Sequence, residues 1–158
     1  MPTVDEDRAE IQRLHDQWFR ANEGLHIDQM QPVMAGEAFK HFNLNGFTYS
    51  GLSELTKLWE RMAEVFNLKA LVNENDLRIE VRGDMGFLTV ESDCELEMIE
   101  ADGSGAMKGD DPGATEVVMP FRITEIYVRD DGYGNPVWKM WHFHCSSRLL
   151  EGPRFVTE

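Results

Sequence analysis

With 158 residues the chain has the length of one domain and can bury a core without disulfide or metal staples. Its formal charge of −14, from 29 acidic against 15 basic residues, argues against nucleic acid or an anionic membrane as partner and reads as a solubility device. No stretch approaches a membrane span, and the N-terminus lacks the basic-then-apolar run of a secretory signal, so the expected location is the cytoplasm.

Thr3 and Glu6 have capping-box spacing ahead of an amphipathic run. Ile11, Leu14, His15, Trp18 and Phe19 recur there at helical period, which predicts a first helix over 4–22, ended by Gly24. A short second helix over 27–34 turns Met30, Val33 and Met34 to the core, with Pro32 tolerable near its start. Residues 38–44 read as a short strand, followed by turns through Asn45-Gly46 and Ser50-Gly51. Ser53 is the expected cap of a third helix, whose apolar positions are Leu55, Leu58, Trp59, Met62, Val65 and Phe66.

Strands follow. Leu77, Ile79 and Val81 alternate with Arg78, Glu80 and Arg82 before a turn at Gly83-Asp84. In the next strand, 87–100, the core register holds Leu88, Val90, Ser92, Cys94, Leu96 and Met98. Residues 101–115, rich in Gly and Asp and containing Pro112, read as a mobile loop, with a role as lid left open. Two long strands, 116–130 and 136–147, close the chain. The last is apolar or aromatic in both registers, so both its faces should be covered, one by its own domain and the other by a second copy. Cys94 and Cys145 lie inside strand patterns and read as reduced, buried thiols rather than a disulfide. Helices first and strands after indicate one α+β domain over 1–158, with a mainly antiparallel sheet and a core over about 5–150.

Few side chains in this pattern suggest chemistry. Glu125 shares its strand register with Met119, Phe121, Ile123 and Tyr127, which puts a carboxyl on an otherwise apolar inward face. General acid–base catalysis uses such a group, although a strand end reaching solvent would look the same. His41 has Phe39 and Asn43 in its register, but Ala38, Phe42 and Leu44 form the more apolar one, so a one-residue slip decides whether it points in or out. Tyr49 can donate its hydroxyl to a developing oxyanion or only pack its ring. His15 reads as a core histidine with a satisfied nitrogen, and Trp18 and Trp59 as inner-face helix residues. His142 and His144 share one strand face, but two histidines without a third ligand do not make a metal site. Phosphate loops, a nucleophile elbow and His-Glu-x-x-His are absent, and nothing points to a nucleotide, a flavin or another cofactor.

The order of elements, with the ending Trp138-Lys139-Met140-Trp141-His142-Phe143-His144-Cys145-Ser146, resembles the SnoaL-like branch of the nuclear-transport-factor-2-like superfamily. The final strand is also similar to that of the calcium/calmodulin-dependent kinase association domain, with its Trp, apolar stretch and His-x-His-x-Ser core. Two further stretches fit, Asn75 to Asp84 and Phe47-Thr48-Tyr49-Ser50-Gly51 ahead of the helix through Trp59. The resemblance implies a ketosteroid-isomerase-like cone, a curved sheet wrapped around three N-terminal helices with a pocket between them. It also implies a homodimer or larger homo-oligomer through the outer sheet face. By the same resemblance Trp141, Phe143 and Cys145 face the pocket, and His142 and His144 face the partner. Glu125 takes a position where the kinase domain carries a pocket charge of opposite sign, and His41 lies near the point where relatives place a catalytic carboxylate or Tyr. One departure is Leu71-Val72-Asn73, where several enzymatic relatives carry a His.

The expected function is therefore a cofactor-free lyase or isomerase acting on a small, largely apolar molecule of aromatic, steroid-like or polyketide type. Glu125 would move the proton and Tyr49 or His41 would polarise the oxygen-bearing group. Trp18, Trp59, Ser92, Tyr127, Trp141, Phe143 and Cys145 would line the cavity, and no metal would be bound. The fold alone does not decide between this and a non-catalytic ligand-binding or assembly module.

Overall fold

A computed structural model describes residues 2–99 and 116–148. Helix α1 spans Val4–Asn22 and starts with the expected reciprocal cap: Thr3 Oγ1 accepts from the Glu6 amide at 3.2 Å, and Glu6 Oε2 accepts from the Thr3 amide at 2.6 Å. Its stripe of Ile11, Leu14, His15, Trp18 and Phe19 is buried. Gly24, at φ +75°, turns the chain out of the helix, and its amide bonds the Leu68 carbonyl at 2.8 Å. Helix α2, Ile27–Met30, is shorter than expected and tightens into a 3₁₀ turn over Gln31–Val33. Pro32 has no amide to continue an α-helical ladder.

Strand β1 is Lys40–Phe42, a fraction of the expected 38–44, and pairs antiparallel with β2, Thr48–Ser50, which the sequence pattern had shown only as a turn. Helix α3, Gly51–Val65, begins two residues before the expected cap. Ser53 lies inside the helix, where its amide and hydroxyl both donate to Glu37 Oε1, at 3.0 and 2.6 Å. A carboxylate from 16 residues upstream thus serves the positive end of the helix, as the helix dipole favours. Periodicity has no means of announcing that contact.

Strand β3, Phe66–Arg82, leaves α3 without a loop and is far longer than the stretch around Leu77–Arg82 suggested. Then come β4 (Met85–Met98), β5 (Glu116–Arg129) and β6 (Trp138–Ser147). The six strands form one sheet in the order β2-β1-β6-β5-β4-β3, antiparallel except where β1 meets β6 in parallel. Register shifts at Leu68/Ala70, Val72/Asn75 and Asn75/Arg78 bend the β3–β4 pair, and a shift at Ile126/Tyr127 bends β5–β6. The result is the expected α+β cone, three helices against a curved, unclosed sheet. The loop expected over 101–115 lies outside the described residues, as does everything after 148.

At Gly86 the sheet comes close to α1: a Cβ there would stand 2.7 Å from Ile11 Cδ1. A second tie joins the helix start to the sheet, where Asp7 accepts from Arg129 Nη2 at 2.6 Å and from Trp138 Nε1 at 2.9 Å. Among the described residues no helix is long and apolar enough to cross a membrane.

Candidate active site

Strand pairing aligns the three residues singled out for chemistry. Leu88 opposes Glu125, Glu125 opposes Phe143, Phe143 opposes His41, and His41 opposes Tyr49. One row thus crosses five strands, and Phe143 stands between Glu125 and His41.

Glu125 is fully buried, the inward of the two readings its register allowed. Its carboxyl accepts from Tyr127 Oη at 2.7 Å, and His15 Nδ1 lies 3.0 Å from both its oxygens. Both partners are themselves fully buried. Burial pushes the Tyr127 hydroxyl well above its ordinary pKa, and the Glu125 charge and hydrogen bond act in the same direction. The group is a buried cluster between α1 and the sheet. His15 is a core histidine with a satisfied nitrogen, and the atom that satisfies it comes from 110 residues away.

The hollow lies to one side of this cluster. A cavity of about 190 Å³ opens between α1, α3 and the inner face of the sheet. Trp18, Trp59, Phe143, His41 and Cys145 line it; Glu125, Tyr127, Ser92, Tyr49 and Trp141 are not among the residues of its wall. Phe19, Leu58, Met62, Phe121 and Ile123 extend its apolar surface. These were legible as inner-face positions, but nothing local distinguishes a residue that lines a hollow from one that packs solid.

His41 is the polar centre of that wall. It points inward, 1% exposed, which settles the phase of β1 against the more apolar register; Phe42 is on the outer face, 40% exposed. Its ring stacks on Phe143 (centroids 4.8 Å apart, planes 12° apart) and meets Trp59 edge-on at 5.8 Å. Nε2 lies 3.2 Å from Asn43 Oδ1, so the proton is on Nε2 and Nδ1 carries a lone pair. Nδ1 is buried without a hydrogen-bond partner, and so is Trp59 Nε1. Burial pushes the His41 pKa down to about 4, with the outer-face imidazoles His142 and His144 adding to the shift against the Asn43 bond. The ring is therefore neutral at pH 7.

Tyr49 is half-buried at the sheet edge, edge-on to His41 at 6.3 Å, and its hydroxyl accepts from Asn45 Nδ2 at 2.9 Å. Ser92 is buried opposite Phe121. Trp141 needs a correction. Ile126 pairs with His142 and Tyr127 with Met140, so Trp141 is the extra residue of a bulge. Alternation restarts there: Trp138 and Met140 are buried before it, Phe143 and Cys145 after it. The Trp141 indole instead donates to the Asp130 carbonyl at 2.7 Å.

His142 and His144 flank Phe42 on the outer face, with ring centroids 4.8 and 5.7 Å from it, and His142 Nδ1 donates to the Lys40 carbonyl at 3.0 Å. No group of three or more potential metal ligands occurs among the described residues. Cys94 and Cys145 are free and buried on the cavity wall, and burial raises their pKa values to about 12 and about 11, so both stay as thiols.

The family model described as a SnoaL-like domain matches residues 11–149. No curated protein matches the chain. Among solved structures, a candidate dehydratase of the nuclear-transport-factor-2-like family from Streptomyces avermitilis superposes with a TM-score of 0.70 at 16% identity, covering 93% of this chain and 99% of its own. A nuclear-transport-factor-2-like superfamily protein from Salmonella enterica gives 0.71 at 13% identity, over 98% and 100%. A candidate aromatic ring hydroxylase from Novosphingobium aromaticivorans gives 0.69 at 14%, over 94% and 93%. At such identities the likeness is one of fold.

Proposed function

The chain belongs to the SnoaL-like family, and on that footing we propose that it is a cofactor-free lyase or isomerase that moves a proton on a small, largely apolar molecule held in the cavity. The observation that carries this reading is His41, a neutral, buried imidazole with an unpartnered Nδ1 on a wall that is otherwise mostly apolar. Nδ1, the ring nitrogen without a partner, is the atom this reading assigns to take a hydrogen bond or a proton from a ligand, and Asn43 on Nε2 holds the tautomer. Glu125 acts two strands away from His41, as the acceptor that fixes His15 and Tyr127 behind the aromatic wall; Phe19, which lines the cavity, packs on His15 at 4.2 Å. Tyr49 serves at the edge of His41 rather than as a donor into the cavity. Two proteins of the same fold carry the names of small-molecule enzymes, the candidate dehydratase and the candidate ring hydroxylase.

The test is proton exchange. Small neutral cyclic ketones are incubated with the protein in D₂O, and loss of the α-proton signal is followed by NMR. The wild type accelerates exchange of at least one ketone, and His41→Gln lowers that rate about 10²–10⁴-fold while ketone binding persists. Binding without exchange across the panel, or equal rates in both proteins, refutes the catalytic reading.

A second reading, a non-catalytic binding module, draws on one observation. A pKa of about 4 makes His41 a weak base at pH 7, better suited to accept a hydrogen bond than to hold a proton. In either case we expect a homodimer through the outer sheet face, where Phe42 and Phe87 are each 40% exposed. Light scattering on the purified protein checks the mass.

A further inference from the structure

The wall of the cavity restricts the ligand by charge. Among the described lining residues there is no Asp, Glu, Lys or Arg, and His41 is neutral at pH 7. The three asparagines of the wall are already engaged within the protein: Asn22 donates to the Trp18 carbonyl, Asn43 accepts from His41, and Asn45 donates to the Tyr49 hydroxyl. A carboxylate or ammonium drawn into such a site would lose its hydration with no opposite charge to offset the loss. The formal charge of −14 also works against the approach of an anion.

Size narrows the choice again. At about 190 Å³ the hollow is little larger than an engineered apolar cavity of about 150 Å³ that admits benzene. Aromatic rings close it on the side of the buried carboxyl. Phe19 lines the hollow and packs on His15, with centroids 4.2 Å apart, and His15 in turn lies against Glu125. Phe143 lines it too, and pairs across the sheet with Glu125. A fused steroid or polyketide skeleton is several times the size of benzene and does not fit in that space. Any part of such a molecule left at the rim stays in water and adds little to binding.

We propose that the cavity selects an uncharged molecule of one ring, and that Phe19, by closing the hollow toward His15, sets this size limit. The proposal deepens the reading above and rests on it for the cavity being the ligand site. It narrows the substrate class to neutral single-ring compounds, such as an aryl or cyclic ketone whose α-proton is the one to be moved.

Titration calorimetry with three probes tests it: acetophenone, benzoate, which is of similar size but charged, and acetonaphthone, which adds a fused ring. On the wild type acetophenone binds at least about 10-fold more tightly than benzoate. Acetonaphthone binds no more tightly than acetophenone, although its extra ring, if buried, would strengthen the complex. In Phe19→Ala the ratio of the two ketone affinities moves at least about 10-fold in favour of acetonaphthone. Phe19→Leu moves it the same way by a smaller factor, and serves where alanine destabilises the fold too far. Benzoate within about 10-fold of acetophenone overturns the charge restriction. Tighter binding of acetonaphthone to the wild type overturns the size limit, and a ratio unchanged in the variants overturns the part given to Phe19. Each of these results leaves the cavity as the ligand site, whereas failure of all three probes to bind removes that site and the proposal with it.

Discussion

Acid should loosen this protein through one buried ring. In the unfolded chain His41 titrates at its ordinary 6.5, whereas burial holds it at about 4 in the fold. Below 6.5 the unfolded state therefore binds a proton that the folded state refuses, and stability falls with pH until the folded ring also titrates near 4. Above 6.5 the contribution is fully present. The gap, 6.5 less about 4, is about 2.5 pH units, or about 3 kcal/mol at 1.36 kcal/mol per unit. Against a typical domain stability of about 5–15 kcal/mol this is a large share. The assay is urea denaturation at pH 7.5, 6.5, 5.5 and 4.5, for the wild type and for His41→Gln. Carboxylates such as Asp7 titrate in both proteins and cancel in the difference. Between pH 6.5 and 4.5 the wild type should lose about 2–3 kcal/mol more than the variant. Parallel curves would mean that the folded protein does not keep this ring neutral, and the case for His41 as the proton acceptor would fall with it.

Replacing the buried carboxyl, Glu125→Gln, leaves two donors competing for one acceptor and should cost about 1–3 kcal/mol in a urea melt. Ligand affinity should stay within about 3-fold, because the carboxyl is not on the cavity wall; a large affinity loss at unchanged stability would put it in contact with ligand. Asp7→Ala strips Arg129 and Trp138 of a shared acceptor, for a loss of about 3 kcal/mol by the same measurement. Trp141→Phe removes the bond to the Asp130 carbonyl and should lower stability by about 1 kcal/mol without altering ligand affinity in titration calorimetry. Gly86→Ala drives a methyl into Ile11 and should lower the thermal midpoint by several degrees, about 1–3 kcal/mol of overpacking.

Most of the elements were open to reading because their signals are local. The capping box at Thr3 and Glu6 needs four residues, and the stripe of α1 needs three turns. The register of β5 needs only alternation, which groups Glu125 with Phe121, Ile123 and Tyr127; that this carboxyl is inside rather than at a wet strand end came from the fold. What escaped depends on partners distant in the chain. The start of α3 is served by Glu37, β2 exists because β1 lies beside it, and β3 continues back to Phe66 because Met98 is there to pair with it. A one-residue insertion at Trp141 reverses the face of everything before it in β6, and only the register against β5 reveals the insertion.

The same division runs through the site. Periodicity put His15, Trp18, Trp59, Ser92 and Tyr127 on inward faces, and all are buried. What each of them meets inside came from the packing of distant elements. Glu125 meets a histidine and a tyrosine, and His41 meets a hollow. The physical reason is that periodicity reports the face a residue presents, a property of its own few neighbours. Whether that face closes on packed side chains or on empty space depends on how a helix and a curved sheet, far apart in the chain, come to rest against each other.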